Sequence, residues 1–496
     1  MAKPRRMLSA ALMTLFGRNW ITLFGGTLAG VSGLLIAAFL ILGALGLTDS
    51  PYIGIMAFLV LPVVFVSGLV LVPVGAAWEI FAAHRRAARC EAPREAMRGL
   101  FPVVDFNNSH TRHVAVVVVA LTVVNLMIVS MASYEGVVYM DSVPFCGETC
   151  HTVMQPEYTT YKRSPHSRVK CVECHIGPGA PWFVKSKMSG LGQVFAVTFD
   201  TYPEPIPSPV DNLRPSRDTC EQCHWPQRFT GDRLKVIDAF QDDEANTPTK
   251  TVLLMHIGGA PQYRPGTSGG GQSGSKGIHS WHIDPDKRTV YRAVDKQRQQ
   301  IAKVRVERSD GTIHEFQAPE DKYPLEAVAA SDERVMDCID CHNRPTHIFE
   351  MPGQAVDEAL AAGRIDRGLP YVKKVAVEAL TEVHGEEGDL QRMEQKVRDF
   401  YKERYPDRAA SDQARIDGAI QEIKVIYGRN IFPEMKVTWG VHPNNLGHER
   451  SPGCFRCHDD VLVDKDNRAV GQDCEACHAV LAWNESDPEV LKKLGI

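Results

Sequence analysis

Three long stretches of this 496-residue chain contain no charged side chain: residues 19–48, 50–78 and 114–134 run thirty, twenty-nine and twenty-one residues without Asp, Glu, Lys, Arg or His. Each exceeds the roughly 20 apolar residues that span a bilayer as a helix. Buried core helices are the competing reading, and three runs of this length disfavour it. With no ionisable group inside any run, no proton relay crosses the membrane, which removes ion pumping. The first run is too long for a secretory signal and lacks a small-residue cleavage site, and Arg5-Arg6 alone is a poor twin-arginine signal. Net charge is also small: 55 Lys and Arg against 60 Asp and Glu leave −5, so bulk electrostatics points to no nucleic acid. Long apolar runs are missing after about residue 140. The 44% hydrophobic content is therefore a mean over a membrane part and a polar part.

One loop lacks basic residues and another collects them. No Lys or Arg surrounds Asp49-Ser50-Pro51, whereas residues 84–98 hold Arg85, Arg86, Arg89, Arg94 and Arg98. The positive-inside rule puts the N-terminus and the 84–113 loop in the cytoplasm. Three crossings then carry everything after about residue 136 to the far side. Trp20, Trp78 and Tyr134 sit at the span ends, as an aromatic belt places them.

Cysteine is scarce, at thirteen residues, yet twelve of them fall in six pairs, each followed directly by histidine. Cys171/Cys174/His175, Cys220/Cys223/His224, Cys338/Cys341/His342, Cys454/Cys457/His458 and Cys474/Cys477/His478 are C-x-x-C-H. Cys146/Cys150/His151 has one extra residue between its thiols. Zinc ribbons need paired C-x-x-C units but no histidine after each, and a chain this long needs no disulfide staples. C-x-x-C-H is the c-type haem attachment signature: two thiols join the porphyrin and the histidine takes the iron from one side. Six such sites predict six covalently attached haem c. Cys90, the thirteenth cysteine, falls on the cytoplasmic side and reads as a free thiol.

Electron-carrying haems need a sixth iron ligand. His84, His110 and His113 are cytoplasmic on this topology and drop out. His166, His347, His442 and His448 lead the remaining candidates, with His282 behind them, then His256 and His279, and last His314 and His384. Met154 is the one methionine beside a motif, a candidate ligand or simple packing.

Along the chain, the three spans are expected at about 20–47, 52–78 and 113–135, in a membrane domain of residues 1–135. A three-haem domain follows over 136–230, then a β-rich insertion over 231–330 and a second three-haem domain over 331–496. Residues 250–257, 289–294, 301–308 and 313–316 read as strands, with a hairpin turn at Asp310-Gly311. The Gly/Ser-rich 258–277 reads as a mobile loop. Residues 354–427 are helical in composition, most clearly 373–405, and are expected to wrap the haem core with one solvated face. The fold class is mostly α with little regular structure: three transmembrane helices plus a periplasmic multihaem cytochrome c domain with a small β-rich insertion.

Residues 134–225 resemble the NapC/NirT group of membrane-anchored multihaem cytochromes c. The resemblance is carried by the apolar exit into Phe145-Cys146, the Cys150-His151 to Met154 cluster, Ser164-Pro165-His166, the Cys171 motif and Thr219-Cys220 to His224. Downstream, Met255-His256-Ile257-Gly258-Gly259, Gly277-Ile278-His279-Ser280-Trp281-His282, Cys341 to Pro345 and Gly453 to His458 are similar to larger inner-membrane quinol-oxidising relatives of metal-reducing bacteria. The resemblance implies oxidation of menaquinol or ubiquinol at the first haem. Electrons then pass to periplasmic cytochromes or a terminal reductase, from a protein in the bacterial inner membrane. It also implies a methionine ligand, which would fall on Met154, and a quinol site built from a lysine and an acid. Lys185 or Lys187 could supply the lysine, and Glu148 and Glu157 lie within reach as proton acceptors. This chain departs from the group in having three spans rather than one, and C-x-x-x-C-H-x-x-M rather than C-x-x-C-H-x-M. A terminal reductase of nitrite or hydroxylamine is the alternative function; it would need an iron with an open position. A purely structural membrane subunit would have little use for six haems.

Overall fold

The structure, a computed structural model, describes residues 20–44, 56, 60–87, 106–149, 151–210, 213–225, 231–258, 277–283, 287–471 and 473–496. It divides into two units, Met1–Thr149 and Cys150–Ile496. The basic N-terminus, Cys90 and most of the Gly/Ser loop fall outside the described residues.

The first unit holds α1 (Trp20–Ala44), α2 (Leu61–Ala87), α3 (Ser109–Met140) and the short α4 (Val143–Glu148). The three long helices have the length and hydropathy to cross a membrane. α2 runs past Trp78 into Glu79 and Arg85, beyond the expected 52–78. Charged residues end an apolar run without ending a helix, and arginines suit a helix C-terminus. α3 likewise starts before residue 113, where the Asn108 side chain accepts from the His110 N–H at 2.9 Å. α1 and α2 meet through small residues. A Cβ on Gly68 would stand 2.6 Å from the Ala29 nitrogen and 2.8 Å from the Gly25 carbonyl oxygen, so the backbones touch there. Ile36 and Phe65 are buried in the same layer.

The second unit begins with α5 (His151–Arg163), α6 (Cys171–His175), α7 (Ala180–Thr198) and α8 (Ser216–Cys220). β1 (Arg233–Phe240), β2 (Pro248–Met255), α9 (Ile278–His282), β3 (Lys287–Ala293), β4 (Ile301–Arg308) and β5 (Ile313–Gln317) follow. After them come α10 (Leu325–Ala330), β6 (Glu333–Val335), α11 (Cys338–Cys341), α12 (Pro352–Ala361), α13 (Val372–Thr381), α14 (Asp389–Arg404), α15 (Pro406–Ser411) and α16 (Gln413–Asn430). The chain closes with α17 (Cys474–Cys477), β7 (His478–Glu485) and α18 (Glu489–Leu494).

Two antiparallel sheets form, ordered β5-β4-β3-β6 and β1-β2-β7. The second takes its edge strand from the C-terminus, where Met255 pairs with His478 and Leu254 with Ala479. The β-rich segment is thus tied to the C-terminal motifs rather than standing apart. β1 and β7 had no clear signal in the sequence.

Helices α12 to α16 have an apolar core of their own. Val356, Leu369, Leu380, Val397 and Tyr401 are shielded from solvent inside it. The expectation that these helices have one solvated face around a haem core made no provision for this side-chain core. The helical run expected over 373–405 is broken between α13 and α14, where Gly385 and Gly388 take φ of +94° and +86°, a region that favours glycine. The Asp389 carboxylate accepts from the Gly385 and Glu386 N–H groups at 2.8 and 2.9 Å and starts the next helix. A buried ion pair, Lys373–Asp357, joins α13 to α12. Asp357 also accepts from the Phe240 N–H at 3.1 Å. The Asn246 amide donates to the Leu369 carbonyl at 2.8 Å, which docks the β1–β2 turn on the block.

Candidate metal centres

The C-x-x-C-H motifs fold as single helical turns. Backbone N–H groups of His224 and His342 donate to the carbonyls of Cys220 and Cys338 at 2.8 Å, and that of His458 to Cys454 at 3.1 Å. A closed turn of this kind sets two thiols and an imidazole at fixed offsets. Asp337 and Asp473 cap two of the turns, each accepting from a backbone N–H at 3.1 Å. Buried Asp340, inside the fourth motif, accepts from the Tyr291 hydroxyl at 2.6 Å and from Arg334 Nε at 2.9 Å. Arg456, inside the fifth, donates to the Asp340 carbonyl at 2.6 Å. These braces were not singled out in the sequence.

Each motif histidine in the second unit, His151 apart, faces one histidine from elsewhere in the chain. Ring centroids lie 6.3 Å apart for His175 and His347, 5.9 Å for His224 and His166, and 6.4 Å for His342 and His279. They lie 6.0 Å apart for His458 and His282, and 6.1 Å for His478 and His448. An imidazole nitrogen sits ~2 Å from a metal it binds, so two rings facing across one metal have centroids about 6 Å apart. The spacing therefore fits a metal ion between each pair. Metal-bound histidines use their second nitrogen as a donor to carbonyls or carboxylates. His166 Nδ1 lies 3.1 Å from the Pro345 carbonyl, His347 Nδ1 2.9 Å from that of Glu157, and His282 Nδ1 2.7 Å from that of Ile278. His279 bonds the Gly258 carbonyl. Burial lowers the pKa of His175, His279, His282 and His342, and brings His347 down to about 4. These rings are neutral near pH 7, as ligation requires.

Of the candidate ligands, His166, His282, His347 and His448 each face one motif histidine, as does His279, which the sequence reading ranks lower. His279 and His282 are one turn apart on α9 and serve two different partners; the spacing H-x-x-H was the available signal. His256 pairs instead with Asp232, Nδ1 to Oδ1 at 2.8 Å. The His442 ring lies 5.1 Å from Phe349.

The motifs also adjoin one another in sequence order. Cys174 is close enough to Cys223, Cys341 to Cys454, and Cys477 to Cys454 for their charges to interact. The Cys220 and Cys338 thiols are likewise close enough to interact. Among the described residues no three His, Cys, Asp or Glu side chains gather as zinc ligands would. Burial raises the Cys341 thiol to about 11 and Cys457 to about 12.

At the first motif, Cys146 lies in α4 with Glu148, and Met154 is half-buried in α5. Cys150 and the His151 side chain lie outside the described residues. Lys185 and Lys187 both stand on α7, their ammonium groups 5.0 Å from the Trp182 ring and 4.9 Å from the Phe183 ring. That helix also exposes Val184, Met188, Leu191 and Phe195, which recur along one side at helical spacing and are each more than half exposed. Burial raises the pKa of Glu157, although its own backbone N–H and Arg344 favour the ionised form.

Comparison with known proteins accords with this geometry. The model of the NapC/NirT cytochrome c family, N-terminal region, matches residues 108–205. Cytochrome c-type protein ImcH of Geobacter sulfurreducens is 42% identical over 473 residues, covering 95% of this chain and 90% of that one. Cytochrome c-type protein NrfH of Wolinella succinogenes is 29% identical over 110 residues, covering 22% of this chain and 62% of that one. No solved structure matches the chain.

Proposed function

The chain belongs to the NapC/NirT family of cytochromes c, and from that premise we propose that it oxidises membrane menaquinol or ubiquinol. Electrons pass through six covalently attached haems to periplasmic or outer-membrane acceptors in anaerobic respiration. The observation that carries this reading is the set of five histidine pairs, with centroids 5.9–6.4 Å apart. An iron held on both sides carries electrons but has no open position for a substrate, which favours a conduit over a terminal reductase. Each attached haem c supplies an iron that takes up and gives back one electron. The motifs would hold the irons in file, since thiol neighbours link the second motif to the third, and so on to the sixth.

Entry is proposed at the first motif, Cys146/Cys150/His151, with Met154 as a candidate ligand. Its sequence join to α3 and the apolar side of α7 both suit a donor dissolved in lipid. Quinol releases two protons with its two electrons, so its site needs acceptors. Glu148 is proposed to accept a proton, and Lys185 and Lys187 to donate hydrogen bonds to the quinol oxygens. The loop charges support a position in the bacterial inner membrane with the haems in the periplasm. The test is the purified, oxidised protein in proteoliposomes with a reduced menaquinone analogue. Haem absorption should shift to the reduced form. Failure of the quinol to reduce the haems, while dithionite does, would refute the reading. Nitrite turnover with cyanide-sensitive kinetics would establish the reductase instead.

A further inference from the structure

Arg344 and His442 are a buried cation and a buried imidazole that the described protein does not satisfy. They are 8% and 5% exposed. Arg344 Nε and both ring nitrogens of His442 have no hydrogen-bond partner. Both groups attend the Phe349 ring, the guanidinium carbon 5.7 Å from its centroid and the His442 ring 5.1 Å. Arg344 and His347 are the charges that bear on His442 once burial has acted. Glu157 acts on Arg344 through space, but no carboxylate stands within ion-pair distance of it among the described residues. A buried guanidinium without a counter-charge and a buried polar atom without a partner both cost stability. The placement is nonetheless fixed. The Asn343 amide donates to the Pro443 carbonyl at 2.9 Å, and the Asn445 N–H donates to Asn343 Oδ1 at 2.8 Å. The segments of both residues are thus laced together.

Two unsatisfied donors side by side call for an acceptor. A metal fits poorly: four of the five histidines that face a motif histidine bond a backbone carbonyl through the second nitrogen, and His442 bonds none. A guanidinium beside an imidazole N–H suits a carboxylate. Haem c carries two propionate carboxylates. Arg344 lies between His342 and His347 in sequence; its charge bears on His347 and His442, whereas the charges that bear on His342 are His279 and His224. The His347 ring faces His175, so the adjacent haem is the one attached at Cys171 and Cys174.

We propose that Arg344 and His442 together bind a propionate carboxylate of the haem attached at Cys171 and Cys174, and so set the potential of that haem. The proposal rests on reading His175 and His347 as ligands of one iron. That reading fails separately, if the unsubstituted protein lacks bis-imidazole low-spin signals. The test uses the full-length protein with its haems attached, in four variants: Arg344→Leu, His442→Phe, Arg344→Lys and His442→Gln. Each is followed by spectroelectrochemical titration and low-temperature electron paramagnetic resonance. Removing the donors leaves a negative charge uncompensated near one iron, which favours the ferric form. One component of the titration should move to lower potential in Arg344→Leu and in His442→Phe, the same component in both, with every low-spin signal retained. Arg344→Lys and His442→Gln keep a donor and should shift it less. Should the first two variants fail to take up haem, the second two carry the test. A high-spin signal in a His442 variant would make it an iron ligand and overturn the proposal. So would a titration in which nothing moves, or in which all components move alike. A shift that depends on phosphate concentration would mean a free anion holds the site, and would overturn it too.

Discussion

Two regions of the second unit are held together in different ways. In residues 352–437 the interior is made of side chains: Val356, Leu369, Leu380, Val397 and Ile426 have no measurable exposure. In residues 151–225, which carry two attachment motifs, Val153 and Tyr161 are the buried hydrophobic residues among those described. The first region resembles the core of an ordinary small helical protein. The second has helices and ordered loops but almost no apolar interior. On the haem reading, the missing interior is the porphyrin itself, whose apolar faces take the place of leucine and valine. One chain thus contains a block that can hold its shape by packing and a block that depends on its prosthetic groups.

The largest expected effect comes from withholding the haems. In protein made without haem attachment, amide hydrogen exchange should lose protection throughout residues 151–225 and keep it in residues 352–437. Equal loss in both would erase the distinction. Next comes the side-chain core. Ile420→Ala should cost about 2–5 kcal/mol of stability in the helical block, by lost burial and a residual cavity. Denaturant unfolding would read that loss, and the haem spectra of the folded variant should stay unchanged. A third substitution is confined to one iron: His279→Ala should turn a single low-spin haem high-spin, while His442→Ala should turn none. Resonance Raman or paramagnetic resonance separates the two.

The smallest effect is electrostatic and belongs to the helical block. Asp366 accepts from Arg415 Nε at 2.7 Å and from the Gly368 N–H at 2.9 Å. The Arg415 bond, then the Gly368 bond, hold its pKa below the ordinary 3.8. The folded state therefore binds fewer protons than the unfolded state at acid pH. The stabilisation is present above pH 3.8 and lost as pH falls through the depressed folded value. With Asp366 half exposed, solvent screening keeps it below about 1 kcal/mol. Asp366→Asn should flatten that part of the pH–stability curve and leave the rest unchanged.

Some of this was legible in the sequence because it is local. A C-x-x-C-H motif closes within one turn, and an uncharged run declares a span by length alone. Strands β3, β4 and β5 alternate and turn at Asp310-Gly311, and they fall within a few residues of their expected positions. What was not legible depends on distant partners. β7 is stabilised by pairing with β2 across a large separation in sequence. The H-x-x-H spacing marks His279 together with His282, but only the fold aims His279 at His342 and leaves His442 beside Phe349. The break between α13 and α14 could have been read from Gly385 and Gly388, since glycine interrupts a helical run wherever the backbone takes a positive φ.

The central claim is that five irons are each held between two imidazoles while the first stands apart. Low-temperature electron paramagnetic resonance of the fully oxidised, full-length protein, with haem quantified per chain, tests it most directly. The account predicts six haems, five of them with bis-imidazole low-spin signals and one with a distinct signature. Fewer than five bis-imidazole signals, or two or more high-spin irons, would contradict it.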